Sequence, residues 1–247
     1  NNCDNLTDLS IILCTYNEVN RIESAFNEIN FRLEKEKIKY QLILVDNNSN
    51  DGTIDKIFKI KNDLTKVILH ESNLGKGASI KDGIYHSEGD YILIFDPDLE
   101  YSASDIIRLY NHIKNKKLDF VIGSRRLNEK LSFKDIFIDK NKNITYIINY
   151  IGVFFLTSVI NILYGQKLTD SASALKIFKK KFINGVKLKR NGFNLDFELV
   201  CRSAIKKGKI GEIQVDYYPR SKAEGKKIKA LKDGFSSIVA IIFDRFF

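Results

Sequence analysis

Methionine and tryptophan are absent from the 247 residues, proline occurs twice, and cysteine and histidine three times each. With only two prolines and 14 glycines, no stretch has the composition of a long flexible linker. Cys3, Cys14 and Cys201 are far apart and form no CxxC pair. That argues against a disulfide framework or a zinc ribbon and fits a reducing compartment. His70, His86 and His112 are scattered over strand and helix patterns, so surface or structural roles are expected of them. Residues 1–8 are polar and show no secretory signal pattern. The lack of tryptophan and of any nucleic-acid motif leaves nucleic acid an unexpected partner.

What is present describes a folded, charged chain. Hydrophobic residues make up 44% and charged residues 29%, enough to bury a core and too apolar for wholesale disorder. The net charge of +9 is unevenly placed. Residues 1–175 hold 22 Lys and Arg against 24 Asp and Glu, whereas residues 176–232 hold 17 against 5. A basic C-terminal third points to an anionic partner such as phosphate or an anionic membrane surface. A solvated basic face is the bland alternative.

The first half alternates short apolar runs with helical periodicity. Strands are expected at Leu9–Cys14, Gln41–Asp46, Lys66–His70, Tyr91–Phe95 and Leu118–Ile122. Helices are expected where Ile22, Phe26, Ile29 and Leu33 repeat, at Thr53–Asn62, at Lys76–Ser87, and where Ile106, Leu109, Tyr110 and Ile113 repeat. This alternation predicts an α/β fold with a mostly parallel sheet. Further on, a helix is expected at Leu195–Lys206, a strand at Lys209–Tyr217 and an amphipathic helix at Ile228–Phe247. Ile144–Gly165 is 22 residues without a charge, long enough to span a bilayer. Its Thr, Asn, Ser, Tyr and Gly favour one or two helices lying on or partly in a membrane surface. A buried helical hairpin is the other reading.

Ligands of open α/β sheets bind at the C-terminal ends of the strands. Polar clusters follow five successive strands here: Thr15-Tyr16-Asn17-Glu18, Asp46-Asn47 to Thr53, Asn73 to Ala78, Asp96-Pro97-Asp98-Leu99-Glu100, and Gly123-Ser124-Arg125-Arg126. Asp96 and Asp98 are the sharpest pair. In extended backbone, i and i+2 side chains share a face. Two hard oxygen ligands suit Mg²⁺ or Mn²⁺ once substrate phosphates complete the shell, and Glu100 offers a third. Asp51-Gly52 reads as a turn capping the Thr53 helix, leaving Asp46 free for a ribose hydroxyl or base edge. Gly75-Lys76-Gly77 permits close backbone approach beside a cation, which suits a phosphate.

Together YNE (16–18), VDNNSNDGT (45–53), NLGKGAS (73–79), FDPDLEY (95–101), VIGSR (121–125), LTD (168–170) and EGKKI (224–228) resemble glycosyltransferase family 2, and within it the dolichol-phosphate and polyprenyl-phosphate sugar transferases. The resemblance runs from Leu9 to Phe247. It implies one GT-A catalytic domain over 1–247. Residues 9–125 would form the nucleotide-sugar half, 126–227 an acceptor half with membrane-facing helices at 144–165, and 228–247 a C-terminal amphipathic helix. It further implies an inverting, metal-dependent transfer from a nucleotide-diphosphate sugar, of GDP-mannose or UDP-glucose type, to a polyprenyl phosphate at the cytoplasmic membrane face.

Carried over by position, the resemblance places Thr15, Tyr16 and Glu18 in the nucleoside pocket, Asp46 and Asn47 against ribose or base, and Lys76 near the donor. Asp96 and Asp98 would hold the metal with Glu100 assisting. Arg125, Arg126, Asp170, Lys176, Arg220 and Lys226 would serve the acceptor and its phosphate. The family usually has two aspartates where this chain has Asp46-Asn47, and a Gly or Cys and an aromatic where it has Ser173-Ala174-Leu175-Lys176.

A phosphate acceptor, with a second pKa of about 6, needs cations more than a base. A sugar-hydroxyl acceptor, as in cell-surface polysaccharide assembly, would instead require Asp196, Glu198 or Asp170 as general base. A non-catalytic anionic-surface module would leave the strand-end clusters unexplained.

Overall fold

The structure, a computed structural model, describes residues 7–128, 144–220 and 230–246. Its strands are β1 (Leu9–Thr15), β2 (Tyr40–Asp46), β3 (Thr65–Leu69), β4 (Tyr91–Phe95), β5 (Phe120–Ser124), β6 (Lys176–Lys179) and β7 (Ile210–Gln214). Its helices are α1 (Ile22–Lys35), α2 (Thr53–Ile60), α3 (Lys76–His86), α4 (Ser104–Asn115), α5 (Ile144–Tyr164), the short α6 (Lys180–Ile183), α7 (Leu195–Ile205) and α8 (Ala230–Phe246).

The strands form one seven-stranded sheet in the order β3-β2-β1-β4-β6-β5-β7. All pairings are parallel except those of β6, which runs antiparallel to both β4 and β5. The continuous apolar runs of β1, β2 and β4 are buried on both faces, as parallel strands covered by helices must be. Successive side chains alternate between two cores. Leu9, Ile11 and Leu13 meet Phe26 and Ile29 of α1 and Ile106 and Leu109 of α4. Ile12, Ile43 and Val45 meet Ile80 of α3, Ile160 of α5, Leu199 and Val200 of α7, and Ile241 of α8.

This is a GT-A-like fold, mostly parallel as expected, with β6 and the short α6 as elements that the sequence reading missed. Lys-Ile-Phe-Lys is only four residues long and lysine-flanked, yet it lies inside the sheet with Ile177 and Phe178 at 0% exposure. β5 starts two residues later than expected. Lys117 turns the chain at φ 51° and Leu118 donates its N–H back to Ile113 O, closing α4 before the strand begins. Ile144–Tyr164 is one continuous helix of 21 residues, not a hairpin.

Strand order sets the site. β2 and β4 flank β1 on opposite sides; the connection leaving β1 runs to β2 and the one leaving β4 runs the other way to β5, which opens a crevice between the C-terminal ends of β1 and β4. Register places Thr15 beside Asp46 and Leu13 beside Phe95, which starts the Asp96–Glu100 loop level with Cys14.

Candidate active site

The loop after β2 is built around a buried carboxylate. Asp46 has 0% exposure. Thr15 Oγ1 and Ser49 Oγ donate to its Oδ2 at 2.9 and 2.6 Å, and Ser49 N to its Oδ1 at 2.8 Å. Read from sequence as free for a ribose, Asp46 instead ties the ends of β1 and β2 together. Asn47 does related work. Its Nδ2 donates to Asn73 Oδ1 at 2.9 Å, and its Oδ1 accepts from Leu74 N at 2.8 Å and faces His70 Nδ1 at 3.0 Å. An aspartate could not make the donation to Asn73, so the amide fits this loop. Thr53 N donates to Asp51 Oδ1 at 3.0 Å, as the capping turn requires. Tyr16 is half-buried beside this loop.

The Gly75-Lys76-Gly77 turn is not an open phosphate cradle. Gly75 lies at φ +91°, and a Cβ at Gly75 or Gly77 would overlap the Asn191 backbone. Gly77 N donates to Asn191 O at 2.7 Å. The glycines therefore let the segment before α7 cap the start of α3, a packing that sequence reasoning did not foresee.

Lys76 leaves this turn to meet Asp96. Its Nζ donates to Asp96 Oδ2 at 2.7 Å and lies 3.7 Å from Asp196 Oδ2. Burial opposes its charge, but Asp96 and Asp196 outweigh that effect and hold the ammonium pKa above its ordinary value. Lys176, read as an acceptor ligand, is fully buried; its Nζ donates to Ser173 O and lies 3.4 Å from Asp196 Oδ1. Burial lowers its pKa despite Asp196. Asp196 thus sits between two ammonium groups at the site floor.

Glu198 is elsewhere. Two positions along a helix are separated by about 200°, so Glu198 leaves α7 on the far side from Asp196. Fully buried, it accepts from Lys189 N at 2.9 Å and Arg190 N at 2.9 Å. It anchors that segment and is not positioned as a base.

The acidic loop after β4 is held by one guanidinium. Arg220 Nη2 donates to Asp98 Oδ2 at 2.5 Å, Nη1 to Glu18 Oε1 at 3.3 Å, and Nε and the backbone N to Glu100 Oε1 at 3.4 and 2.9 Å. Tyr217, which the sequence reading overlooked, donates to Glu100 Oε2 at 2.8 Å. Glu100 is therefore turned away from the role of third metal ligand. Burial, Asp96 and Glu100 push the Asp98 carboxyl up to about 7, against the pull of Arg220. Among the described residues, no group of three His, Cys, Asp or Glu side chains is arranged to hold a metal ion. Asp96 and Asp98 remain as two hard oxygen donors on one loop. That set fits a divalent ion whose shell a substrate completes.

On the far side of β4, Arg125 grips Asp170. Its Nε and Nη2 donate to Asp170 Oδ2 and Oδ1 at 2.6 and 2.8 Å, and its backbone N donates at 3.2 Å. Burial would raise the Asp170 pKa, but Arg125 outweighs it and holds the carboxyl below its ordinary value. The guanidinium lies 4.9 Å over the Tyr217 ring. Arg126 stacks 4.0 Å over Tyr150 of α5. Lys226 lies outside the described residues.

A mostly parallel α/β sheet covered by helices on both faces, with carboxylates and cations gathered where β1 and β4 end, is a GT-A-like arrangement. Comparison with known proteins agrees. Residues 10–184 match the model of glycosyl transferase family 2, and the chain belongs to that family. A dolichyl-phosphate beta-glucosyltransferase of Trichomonas vaginalis is 28% identical over 90% of this chain and 68% of its own length. A dolichol-phosphate mannosyltransferase of Pyrococcus furiosus is 26% identical over 88% of this chain, which spans 58% of that protein. Glucosyl-3-phosphoglycerate synthase of Mycobacterium tuberculosis, crystallised with Mn²⁺, UDP and phosphoglyceric acid, superposes with a TM-score of 0.71. It is 14% identical and covers 97% of this chain, which covers 79% of it.

Proposed function

We propose that the protein transfers a hexosyl group from a nucleotide-diphosphate sugar, of GDP-mannose or UDP-glucose type, to a polyprenyl or dolichyl phosphate at the cytoplasmic face of a membrane. A single observation favours a phosphate acceptor over a sugar hydroxyl. None of the three carboxylates that could act as general base stands free. Asp170 is forked by Arg125, Asp196 lies between Lys76 and Lys176, and Glu198 accepts backbone N–H groups. A hydroxyl must lose a proton to attack, whereas a phosphate dianion needs only cations to place it.

In this reading a phosphate oxygen of the acceptor attacks the anomeric carbon of the sugar. The bond from that carbon to the donor diphosphate breaks, with inversion, and the nucleoside diphosphate leaves. Asp96 and Asp98 would hold Mg²⁺ or Mn²⁺, which supplies neutralisation of charge on the departing diphosphate. Lys76 keeps Asp96 oriented. Arg125, fixed by Asp170 and Tyr217, would offer its guanidinium charge to the acceptor phosphate. Arg220 contributes a second cation at the diphosphate.

The membrane side rests on α5 and α8. One helix among the described residues is long and apolar enough to cross a membrane, at Ile147–Tyr164 with mean hydropathy 1.8. Its polar residues, however, dock it along the body. Thr157 pairs with Ser171 at 2.9 Å, Asn161 donates to Leu168 O at 2.8 Å, and Tyr164 donates to Ile241 O of α8 at 2.6 Å. Ile151, Phe154 and Ile162 face outward, as do Phe235, Val239 and Phe246 of α8. Two docked helices with outward apolar faces suit a bilayer surface better than a span.

The test is transfer from a panel of GDP- and UDP-sugars to a short-chain polyprenyl phosphate, with Mn²⁺ or EDTA. Product on the lipid phosphate, lost with EDTA and in Asp98→Asn and Arg125→Ala, is the expected result. Donor turnover without lipid product would defeat the proposed acceptor.

A further inference from the structure

A second cationic feature lies away from this site. A cleft of about 280 Å³ opens between the segment joining α6 to α7, through Lys187 and Lys189, and the outer side of α7, through Arg202 and Lys206. No acidic residue lines it. Lys187, Lys189 and Lys206 are exposed and form no ion pair among the described residues. Arg202 does have an acid, donating to Asp244 Oδ1 at 3.0 Å, with Glu198 3.8 Å away. Both carboxylates are buried behind the cleft wall. The outward charge is therefore positive and uncompensated.

Two placements say what such a cleft would take. It opens on the side of α7 that carries Glu198 and Arg202, opposite Asp196 and Lys76, so a ligand there cannot be the reacting acceptor. It also borders the end of α8. Lys189 lies 5.3 Å and Arg190 5.7 Å over the Phe243 ring. Phe243 belongs to the outward apolar stripe that includes Val239, Ile242 and Phe246, 41–64% exposed. A cationic cleft at the rim of an apolar stripe matches a molecule with a phosphate head and an acyl body, because apolar contact and headgroup charge are then satisfied together.

We infer that this cleft binds the phosphate headgroup of an anionic membrane phospholipid, as a docking site separate from catalysis. The inference rests on the reading of α5 and α8 as membrane-facing. Each basic residue near an anionic surface contributes about 1 kcal/mol. Removing three charges with Lys187→Gln, Lys189→Gln and Lys206→Gln together should weaken binding by roughly a hundredfold.

The experiment is partition of the full chain onto phosphatidylcholine vesicles with and without phosphatidylglycerol. The parent should bind the anionic vesicles far more tightly, and the triple variant should lose that preference while partition onto neutral vesicles stays unchanged. Transfer to a short, water-soluble acceptor phosphate should also be unchanged, which separates this site from catalysis. The single variants Lys187→Gln and Lys189→Gln, each expected to lose about fivefold, cover a triple variant that fails to fold. Anionic partition retained within twofold in the triple variant overturns the headgroup site. So does equal loss on both vesicle types. No binding of the parent to any vesicle overturns the membrane-facing reading with it, and leaves the transfer assay to judge the chemistry alone. Inorganic phosphate that competes at micromolar concentration would show a soluble phosphate ligand and overturn the lipid assignment.

Discussion

Replacing Arg220 by alanine should weaken the metal-free protein and tighten its grip on a divalent cation. Arg220 is 13% exposed and is shared by Glu18, Asp98 and Glu100, at 4%, 8% and 9%. Opposite charges 4 Å apart attract by about 4 kcal/mol at an effective dielectric of 20. Breaking a buried pair by removing one partner costs about 3–5 kcal/mol. The low end applies here, because Arg220 reaches solvent. A loss of about 3 kcal/mol in a chain of this size lowers Tm by roughly 6–12 °C. Mn²⁺ should restore most of that loss, since it supplies the missing positive charge. In the parent, Mn²⁺ must compete with the guanidinium for Asp98; in Arg220→Ala it need not. Nucleotide-free Mn²⁺ affinity should therefore rise at least tenfold, or about 1.4 kcal/mol. Thermal unfolding with and without MnCl₂, and electron paramagnetic resonance of free Mn²⁺, read both effects. A variant as stable as the parent, or one that binds Mn²⁺ more weakly, would refute the reasoning.

Three other outcomes follow from the same geometry. Burial, Asp96 and Glu100 push the Asp98 carboxyl up to about 7 from an ordinary 3.8, so the folded state holds its proton more tightly than the unfolded chain. Stability from this group is greatest at low pH and is lost as pH rises from about 4 to 7; Mn²⁺ affinity should climb with pH to about 7 and level off, and Asp98→Asn should flatten the profile. Glu198→Gln should lower Tm, because a buried charge-assisted acceptor of backbone N–H groups is lost, while kcat for the remaining folded enzyme stays within twofold. Gly77→Ala should destabilise by about 1–3 kcal/mol through its clash with the Asn191 backbone, measured by urea unfolding.

Much of the first half was legible because its strands are continuous apolar runs and its helices keep a 3.6-residue period. Asp96 and Asp98 stood out because they follow such a run directly. The second half resisted for physical reasons. β6 is short, antiparallel and lysine-flanked, so it went unread, and Lys176, expected to serve the acceptor phosphate, is a buried partner of Asp196. Asp196 and Glu198 were grouped although helical geometry sends them to opposite sides of α7. The glycines at 75 and 77 were assigned to a ligand, but their space is filled by Asn191, more than a hundred residues away in sequence. Such pairings depend on topology, which local patterns do not carry. Asp46 illustrates the same point: Ser49 reaches it locally, three residues on, but Thr15 reaches it only through the β1–β2 register.

The central claim is that the acceptor is a phosphate placed by cations without a general base. Its most direct test offers the enzyme the same short polyprenyl chain as the phosphate and as the free alcohol, with Asp196→Asn, Glu198→Gln and Asp170→Asn beside the parent. Product on the phosphate alone, with Glu198→Gln retaining kcat within twofold, Asp196→Asn within about tenfold, and Asp170→Asn raising the acceptor KM through a loosened Arg125, is the result expected. Transfer to the alcohol, or loss of about three orders of magnitude in kcat in one amide variant that still binds the phosphate acceptor normally, in the range that base catalysis supplies, would contradict it.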